Sequence, residues 1–391
     1  MKICLLNNLY HPYQRGGAET VVDLSAQELQ RQGQDVFLIT TKPPFNKEKN
    51  RKLSVYYLRS CYYYLSRLPL LFRMIWHIWD MFNFKNYFLI KRILEREKPD
   101  IIITHNLKGI GFLSLLAIKN TSAIHVHTLH DIQLLHPSGL LIWGEEKKLH
   151  KFSARLYMFL VRKLIRSPNA VLSPSSWLLD MHVQKKFFPR SRKKVLPNPI
   201  PPGSKDREKL NWDKNFFYFI YVGQLEKHKG ILFLIDAFKQ FQKRFPDKQT
   251  KLIVVGGGSL FKKAYKTSHP NHIIFTGKKT ATQVRGIMDE ANCLIIPSWC
   301  YENSPTVIYE AIESGLPIIA SELGGIPEIA QQGAAELFTP GKREELISQM
   351  KKIQENHSWF QRLARNKKEK TKDLGVENYV RKLLAFIENR Y

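Results

Sequence analysis

Residues 1–40 read MKICLLNNLYHPYQRGGAETVVDLSAQELQRQGQDVFLIT. Lys2–Leu6 is a short apolar run of strand length. Ala18–Gln32 carries apolar residues at helical spacing, Val22, Ala26 and Leu29 with Val21 beside them, and stops at Gly33. Val36–Thr40 is a second apolar run. Strand, loop, helix and strand within forty residues open an α/β fold. The pattern recurs, with strands expected at Asp100–Thr104, Ala123–Thr128 and Ala170–Ser173 and helices between them. Such alternation implies a parallel, doubly wound (Rossmann-like) sheet with right-handed connections. Met1–Leu6 leads straight into a strand and a polar loop, so no signal peptide is expected.

Leu196–Asn215 interrupts the alternation. It holds Pro197, Pro199, Pro201, Pro202 and Gly203 and then a charged run, which is the composition of a linker. Beyond it the pattern restarts, with strands expected at Phe217–Val222, Lys251–Val255, His272–Phe275, Cys293–Pro297 and Pro317–Ala320. Two α/β domains are therefore expected, 1–198 and 199–376. The length of 391 residues agrees, at roughly 150 residues per domain. Two such domains joined by a linker leave a cleft at the C-terminal ends of their strands, where ligands of open sheets bind.

The chain carries a net charge of +27, of which +18 falls in residues 1–198 and +9 in the rest. Such an excess favours a polyanionic partner: a phospholipid surface, nucleic acid or an anionic substrate. Nucleic acid is not expected, because the chain has no C2H2 pattern, no heptads after a basic region and no aromatic RNA-binding strand motif. The four cysteines lie far apart without metal-ligand spacing and read as reduced thiols of a cytosolic protein. Tyr56–Leu94 is crowded with aromatic and basic residues. Within it Leu71, Phe72, Ile75, Ile78, Trp79 and Phe82 share one helical face, with Arg73, His77 and Asp80 on the other. Charges interrupt every window of about 20 residues, which excludes a transmembrane span. Two readings stay open: a helix packed into its own domain with the aromatics as core, or a helix lying flat in a membrane interface or against an acceptor.

The densest chemistry lies in Glu302-Asn303-Ser304-Pro-Thr-Val-Ile-Tyr-Glu310, which leads into Gly315. Pro305 between the two carboxylates fits a loop entering a helix. The helix N-terminus would offer N–H groups and a positive dipole end to an anion. Glu310 could accept hydrogen bonds from a ribose diol, and Glu302 from sugar hydroxyls. Two glutamates on a loop and a helix are commonplace by themselves, so the surroundings carry the weight. Gly324-Gly325 follows the next strand. Upstream, Gly223-Gln224 and Lys229-Gly230 sit on the first strand-to-helix turn of the second half, where Lys229 can reach a diphosphate as a point charge. Gly256-Gly257-Gly258 and Gly277, followed by Lys278, each end a strand in a glycine turn.

In this order, and over nearly the whole chain, these motifs resemble the family-4 retaining glycosyltransferases of the GT-B fold. Gly16-Gly17-Ala-Glu19 looks like the family's glycine-rich loop, whose backbone approaches the donor phosphate and sugar. Lys98-Pro-Asp100 through His105-Asn106 looks like the strand that brings a histidine to the cleft. Val126-His-Thr-Leu-His130-Asp131 resembles the segment whose histidine lies beside the reacting sugar, so His130 is carried over with Glu302 as catalytic. Standing alone, His130 has a structural alternative as a satisfied buried histidine, since His125, His127 and His136 crowd the same stretch. Glu302 and Glu310 resemble the Glu-x7-Glu pair for donor sugar and nucleotide ribose. In this fold the base is recognised largely by backbone and packing near Gly277 and Lys278. The chain departs from the pattern at Gln224, where many members carry arginine; a neutral amide makes no bidentate charge-assisted bond.

The resemblance implies two facing domains and a final helix, 377–391, crossing back onto the first. It implies transfer of a sugar from a UDP- or GDP-sugar, with retention, to a glycan or polyprenyl-linked acceptor in cell-surface polysaccharide synthesis. No Asp-x-Asp motif lies at a strand end, so no metal and no cofactor are expected, and the basic first half with its amphipathic stretch leads us to expect an enzyme peripheral on the cytoplasmic face of the cell membrane. Two other functions share parts of this pattern: a sugar-nucleotide epimerase of the same two-domain plan, and a non-catalytic basic binding protein.

Overall fold

Ile3, Cys4, Leu5 and Leu6 are fully buried, and in the computed structural model they form the middle of a seven-stranded parallel sheet. The structure describes residues 1–13, 16–44, 53–200, 212–268, 271–370 and 374–389. These fall into two compact units. One comprises Met1–Leu140, Glu146–Pro201 and Gly375–Tyr391; the other comprises Leu141–Glu145 and Pro202–Leu374.

The first unit holds β1 (Lys2–Leu6), β2 (Asp35–Lys42), β3 (Ser54–Arg59), β4 (Ile101–Thr104), β5 (Ile124–Thr128), β6 (Ala170–Ser173) and β7 (Arg192–Val195). They are ordered β3-β2-β1-β4-β5-β6-β7. Leu6 pairs with Ile39 on one side and Thr104 on the other, so the winding reverses between β1 and β4. The helix Gly17–Arg31 buries Val21, Val22, Ala26 and Leu29 against Ile3, Leu5 and Leu38. Each of its larger aliphatic side chains contributes about 1.5–3 kcal/mol by leaving water. The final helix, Val376–Glu388, packs on this same helix and brings Tyr379, Val380 and Leu383 into the same core. Two strands of this unit escape a pattern search. β3 mixes tyrosines with polar residues, and β7 reads Arg-Lys-Lys-Val; both are edge strands, where charge blocks pairing with a further strand.

The stretch after β3 divides into a 3-10 segment, Cys61–Arg67, and two helices, Leu70–Met81 and Phe84–Glu97. Here the reading of the aromatics as core fails. Leu71, Phe72, Ile75, Ile78 and Trp79 are each more than half exposed, whereas Asp80 is only 3% exposed. The helix is held by its polar side: the Gly109 N–H donates to Asp80 Oδ2 at 2.8 Å, and the Leu113 N–H to the Met81 carbonyl at 3.0 Å. Trp76 is the one aromatic of this helix that is buried.

The second unit holds β8 (Phe217–Val222), β9 (Thr250–Val255), β10 (Ile273–Gly277), β11 (Cys293–Ile296), β12 (Ile318–Ser321) and β13 (Ala335–Phe338). The order β10-β9-β8-β11-β12-β13 repeats the same winding, with its reversal between β8 and β11. The helix Ile231–Arg244 covers this sheet through Ile231, Leu234, Phe238 and Phe241. Residues 141–145 depart from a division at the linker alone. Ile142 forms an antiparallel bridge with Cys300, Trp143 N–H donates to the Trp299 carbonyl at 2.8 Å, and Tyr301 N–H donates to the Leu141 carbonyl at 2.9 Å.

Candidate functional site

In each unit the residues singled out in the sequence lie at the C-terminal ends of the strands, most of them beside the winding reversal, where open α/β sheets bind ligands, with Gly277 and Lys278 at the end of the edge strand β10. In the second unit the turn after β8 carries Gly223, Gln224, Lys229 and Gly230. Gly230 has φ +73°, and a Cβ there would lie 1.8 Å from the Pro297 carbonyl oxygen. Only glycine lets this turn sit against the end of β11. The close approach delivers Lys229, whose Nζ donates to Glu302 Oε2 at 2.7 Å. Ser298 Oγ donates to the other oxygen, Oε1. Burial pushes the Glu302 carboxyl up, but Lys229 and these hydrogen bonds outweigh it and hold the acid below its usual range. Burial pulls the Lys229 ammonium down, and Glu302 more than restores it. The pair is ionised and fixed.

The backbone of Glu302 is fixed as well. Gly324, at φ +65°, comes so close that a Cβ would lie 2.4 Å from the Glu302 carbonyl oxygen, which accepts the Gly325 N–H at 2.8 Å. Asn303 is buried, and Ser304 Oγ shares a 2.9 Å hydrogen bond with Tyr309 Oη. Thr306 opens the helix Thr306–Ser314 on Pro305. Glu310 lies four residues into it, half-buried. Its carboxyl is raised by burial against the opposing pull of Arg285, and Arg285 itself pairs with Glu313 at 3.3 Å. Among the described residues Glu310 accepts no hydrogen bond, so its oxygens are available to a ligand. Gln224 is exposed, and its backbone carbonyl accepts Tyr221 Oη–H at 2.7 Å. Gly277 ends β10 at φ +71°, and the Lys278 side chain lies against Gly257. Lys229 and Glu302 are thus in direct contact, while Glu310, Gln224 and Lys278 are separate groups around the same strand ends.

In the first unit Gly16 and Gly17 start the helix after β1, and the Gly16 N–H donates to Glu19 Oε2 at 2.6 Å. His130 follows β5. Its Nε2 shares a 2.8 Å hydrogen bond with Nδ1 of His105, which follows β4. Burial drives both imidazoles toward the neutral form, His130 down to about 4 and His105 well below its ordinary value, with His130 and His127 adding to the effect on His105. Among the described residues His105 Nε2 is buried without a hydrogen-bond partner. Beside them burial raises Asp131 to about 6, against the Gln133 N–H and Lys108. Gln133 ties the loops together, donating to Asn106 Oδ1 and accepting the Leu107 N–H. The supporting residues Ser298, Arg285, Gln133 and Lys108 carry no spacing signal in the sequence. They are found only once the loops are folded. Among the described residues no cluster of three or more His, Cys, Asp or Glu side chains could hold a metal ion.

Known proteins divide the chain at nearly the same place. Residues 15–203 match the family described as Glycosyltransferase Family 4, and residues 203–372 match Glycosyl transferases group 1. The chain belongs to the family-4 glycosyltransferases. Its relatives include an uncharacterized 42.6 kDa protein in the cps region of Klebsiella pneumoniae, 27% identical over 85% of this chain and 88% of that protein. Another is the putative teichuronic acid biosynthesis glycosyltransferase TuaC of Bacillus subtilis, 22% identical over 93% of this chain and 92% of its own. Among solved structures, sucrose-phosphate synthase from Thermosynechococcus elongatus superimposes with a TM-score of 0.74 over 98% of both chains at 17% identity. HepE of Anabaena in complex with UDP gives 0.70 over 99% of both at 18%. Two parallel-sheet Rossmann-like units of the GT-B fold are common to this glycosyltransferase and those structures.

Proposed function

We propose that this glycosyltransferase moves a sugar, with retention, from a nucleoside diphosphate sugar to a lipid-linked or glycan acceptor in polysaccharide assembly. The observation that carries the reading is the half-buried Lys229–Glu302 pair at the winding reversal of the second unit. Lys229 supplies positive charge to a departing diphosphate, together with the N-terminus of Thr306–Ser314. Glu302, already oriented by Ser298, accepts hydrogen bonds from sugar hydroxyls, and Glu310 accepts them from the ribose. Uridine is the favoured base, because HepE was solved with UDP and with UDP-glucose. Retention without an enzymatic nucleophile follows a front-face path. The acceptor oxygen bonds to the anomeric carbon as the carbon–oxygen bond to diphosphate breaks on the same face, and a diphosphate oxygen takes the proton. His130, kept neutral by burial, positions the sugar by hydrogen bonding. Lys229 and the helix dipole fill the role of a divalent ion, so activity is expected to survive EDTA.

A lipid acceptor fits two observations. An Escherichia coli relative, 24% identical over 66% of each chain, is named as a galactosyltransferase acting on GlcNAc-diphosphoundecaprenol. The outward apolar face of Leu70–Met81, continued by Phe84 and Phe88 of the next helix, has the character of an interfacial helix. No described helix is long and apolar enough to cross a membrane. The test is a transfer assay with UDP-sugars. Glu310→Ala should weaken donor affinity by about tenfold to a hundredfold, the loss of one charged hydrogen bond. Glu302→Ala should lower turnover more than affinity. Wild-type rates in both variants would remove these roles, and rescue of an EDTA-killed enzyme by magnesium would remove the metal-free path.

A further inference from the structure

At the opposite ends of the first unit's strands lies a cavity of about 580 Å³. Its lining includes Arg162, Lys163, Arg166, Lys186 and Arg190 and no acidic residue. Arg166 belongs to the loop entering β6, and Lys186 and Arg190 to the loop entering β7. The candidate site, by contrast, occupies the loops that leave β4 and β5, so a whole strand length separates the two. None of the five cations forms an ion pair among the described residues. Arg162 is fixed by protein instead: its Nη1 donates to the Lys185 carbonyl at 3.0 Å, and its guanidinium stands 5.9 Å from the Phe187 ring.

The backbone here is strained. Arg166 has φ +51° and Lys186 φ +63°, with Phe188 at +57°. These conformations are unfavourable for a residue with a side chain, and such residues cluster where strain serves binding. Two of the three present a cation to the same hollow. The helix Phe152–Ile165 continues the surface: Phe152, Leu156 and Phe159 are exposed at i, i+4 and i+7, flanked by Lys151, Arg155 and Lys163. Phe159 is also part of the cavity wall, and the helix contains no acid. A bare phosphate would fill little of this volume and would leave the apolar row uncovered.

We propose that this cavity binds the phosphate of an anionic lipid headgroup, with Phe152, Leu156 and Phe159 against its glycerol and upper acyl region. The site rests on, and deepens, the membrane part of the reading above. It recruits lipid away from the reacting groups. The test is flotation of the full chain with phosphatidylcholine vesicles, with and without phosphatidic acid, at moderate salt. Arg166→Gly with Lys186→Asn removes two cations with residues suited to these positive-φ backbones, glycine at Arg166 because its ψ of −123° lies outside the left-handed helical region. This double variant should bind phosphatidic acid vesicles about ten- to thirty-fold more weakly than wild type, at roughly a tenfold factor or less per cation. Its thermal midpoint should not fall, and turnover on detergent-dispersed acceptor should be unchanged. Phe72→Ser with Trp79→Ser should weaken binding to every vesicle, which tests the membrane reading separately. Equal flotation of the double variant and wild type overturns the headgroup site while leaving that reading intact. So does a preference of the wild type for single-stranded DNA that the double variant loses. Absence of wild-type flotation on any vesicle overturns both.

Discussion

Glu302 shows how one residue is fixed from three directions: Lys229 and Ser298 hold its two oxygens, and Gly325 holds its carbonyl. Its motif was legible as two carboxylates eight positions apart, one on a loop and one on a helix, set among glycine turns. Ser298, Arg285 and Gln133 were not, because each acts through a contact that only the fold creates. Gln224 poses a different question. Its side chain is exposed and its backbone already ordered by Tyr221, so arginine fits there without repacking. Gln224→Arg is expected to tighten UDP binding about three- to tenfold by adding one charge-assisted bond near the diphosphate. Titration calorimetry with UDP measures it directly. Unchanged or weaker binding would mean that this position does not face the phosphates.

The helix Leu70–Met81 is built with its polar side inward. Burial raises Asp80 to about 7, against the lowering influence of the Gly109 N–H and Lys108. Since the unfolded carboxyl titrates near 3.8, the folded state binds the proton more tightly. Wild-type stability therefore declines as pH rises from about 4 to about 7. Asp80→Asn keeps an oxygen for the Gly109 N–H and cannot ionise. Between pH 5 and pH 8 the stability difference should shift toward the variant by about 1–3 kcal/mol, measured by urea unfolding; no shift would show that Asp80 stays charged without penalty. Periodicity found the two faces of this helix but not which one looks inward. The general rule that apolar faces go inside is reversed here by one buried carboxylate and by what the outer face is free to meet. β1, β8 and β11 were legible as apolar runs. β7 was not, because an edge strand with one charged residue after another carries its pairing in the backbone alone.

For the molecule as a whole, the first unit carries an unusual load of neutral histidines. Burial lowers His125, His130 and His182 to about 4, and holds His105 and His127 well below their ordinary range. An unfolded chain takes these protons near 6.5, whereas the fold refuses them until far lower. Stability is thus present above 6.5 and is lost as pH falls toward 4. Asp80 and Asp131, raised to about 7 and about 6, oppose this, but five groups outweigh two. Guanidinium unfolding at pH 5 should show a loss of several kcal/mol against pH 7, and an unchanged midpoint would discard the account. The two-unit plan was legible from the proline-rich linker and the renewed alternation; the five residues 141–145 were not, since they are too few to hold a pattern. They matter for anyone who would dissect the gene. A fragment cloned from the linker onward lacks the segment that bridges Cys300 and caps Trp299 and Tyr301, the residues just before Glu302. A fragment stopping at the linker lacks Tyr379, Val380 and Leu383 from its core. Each half therefore borrows chain from across the cut, and the two are expected to be made as one polypeptide or not folded at all.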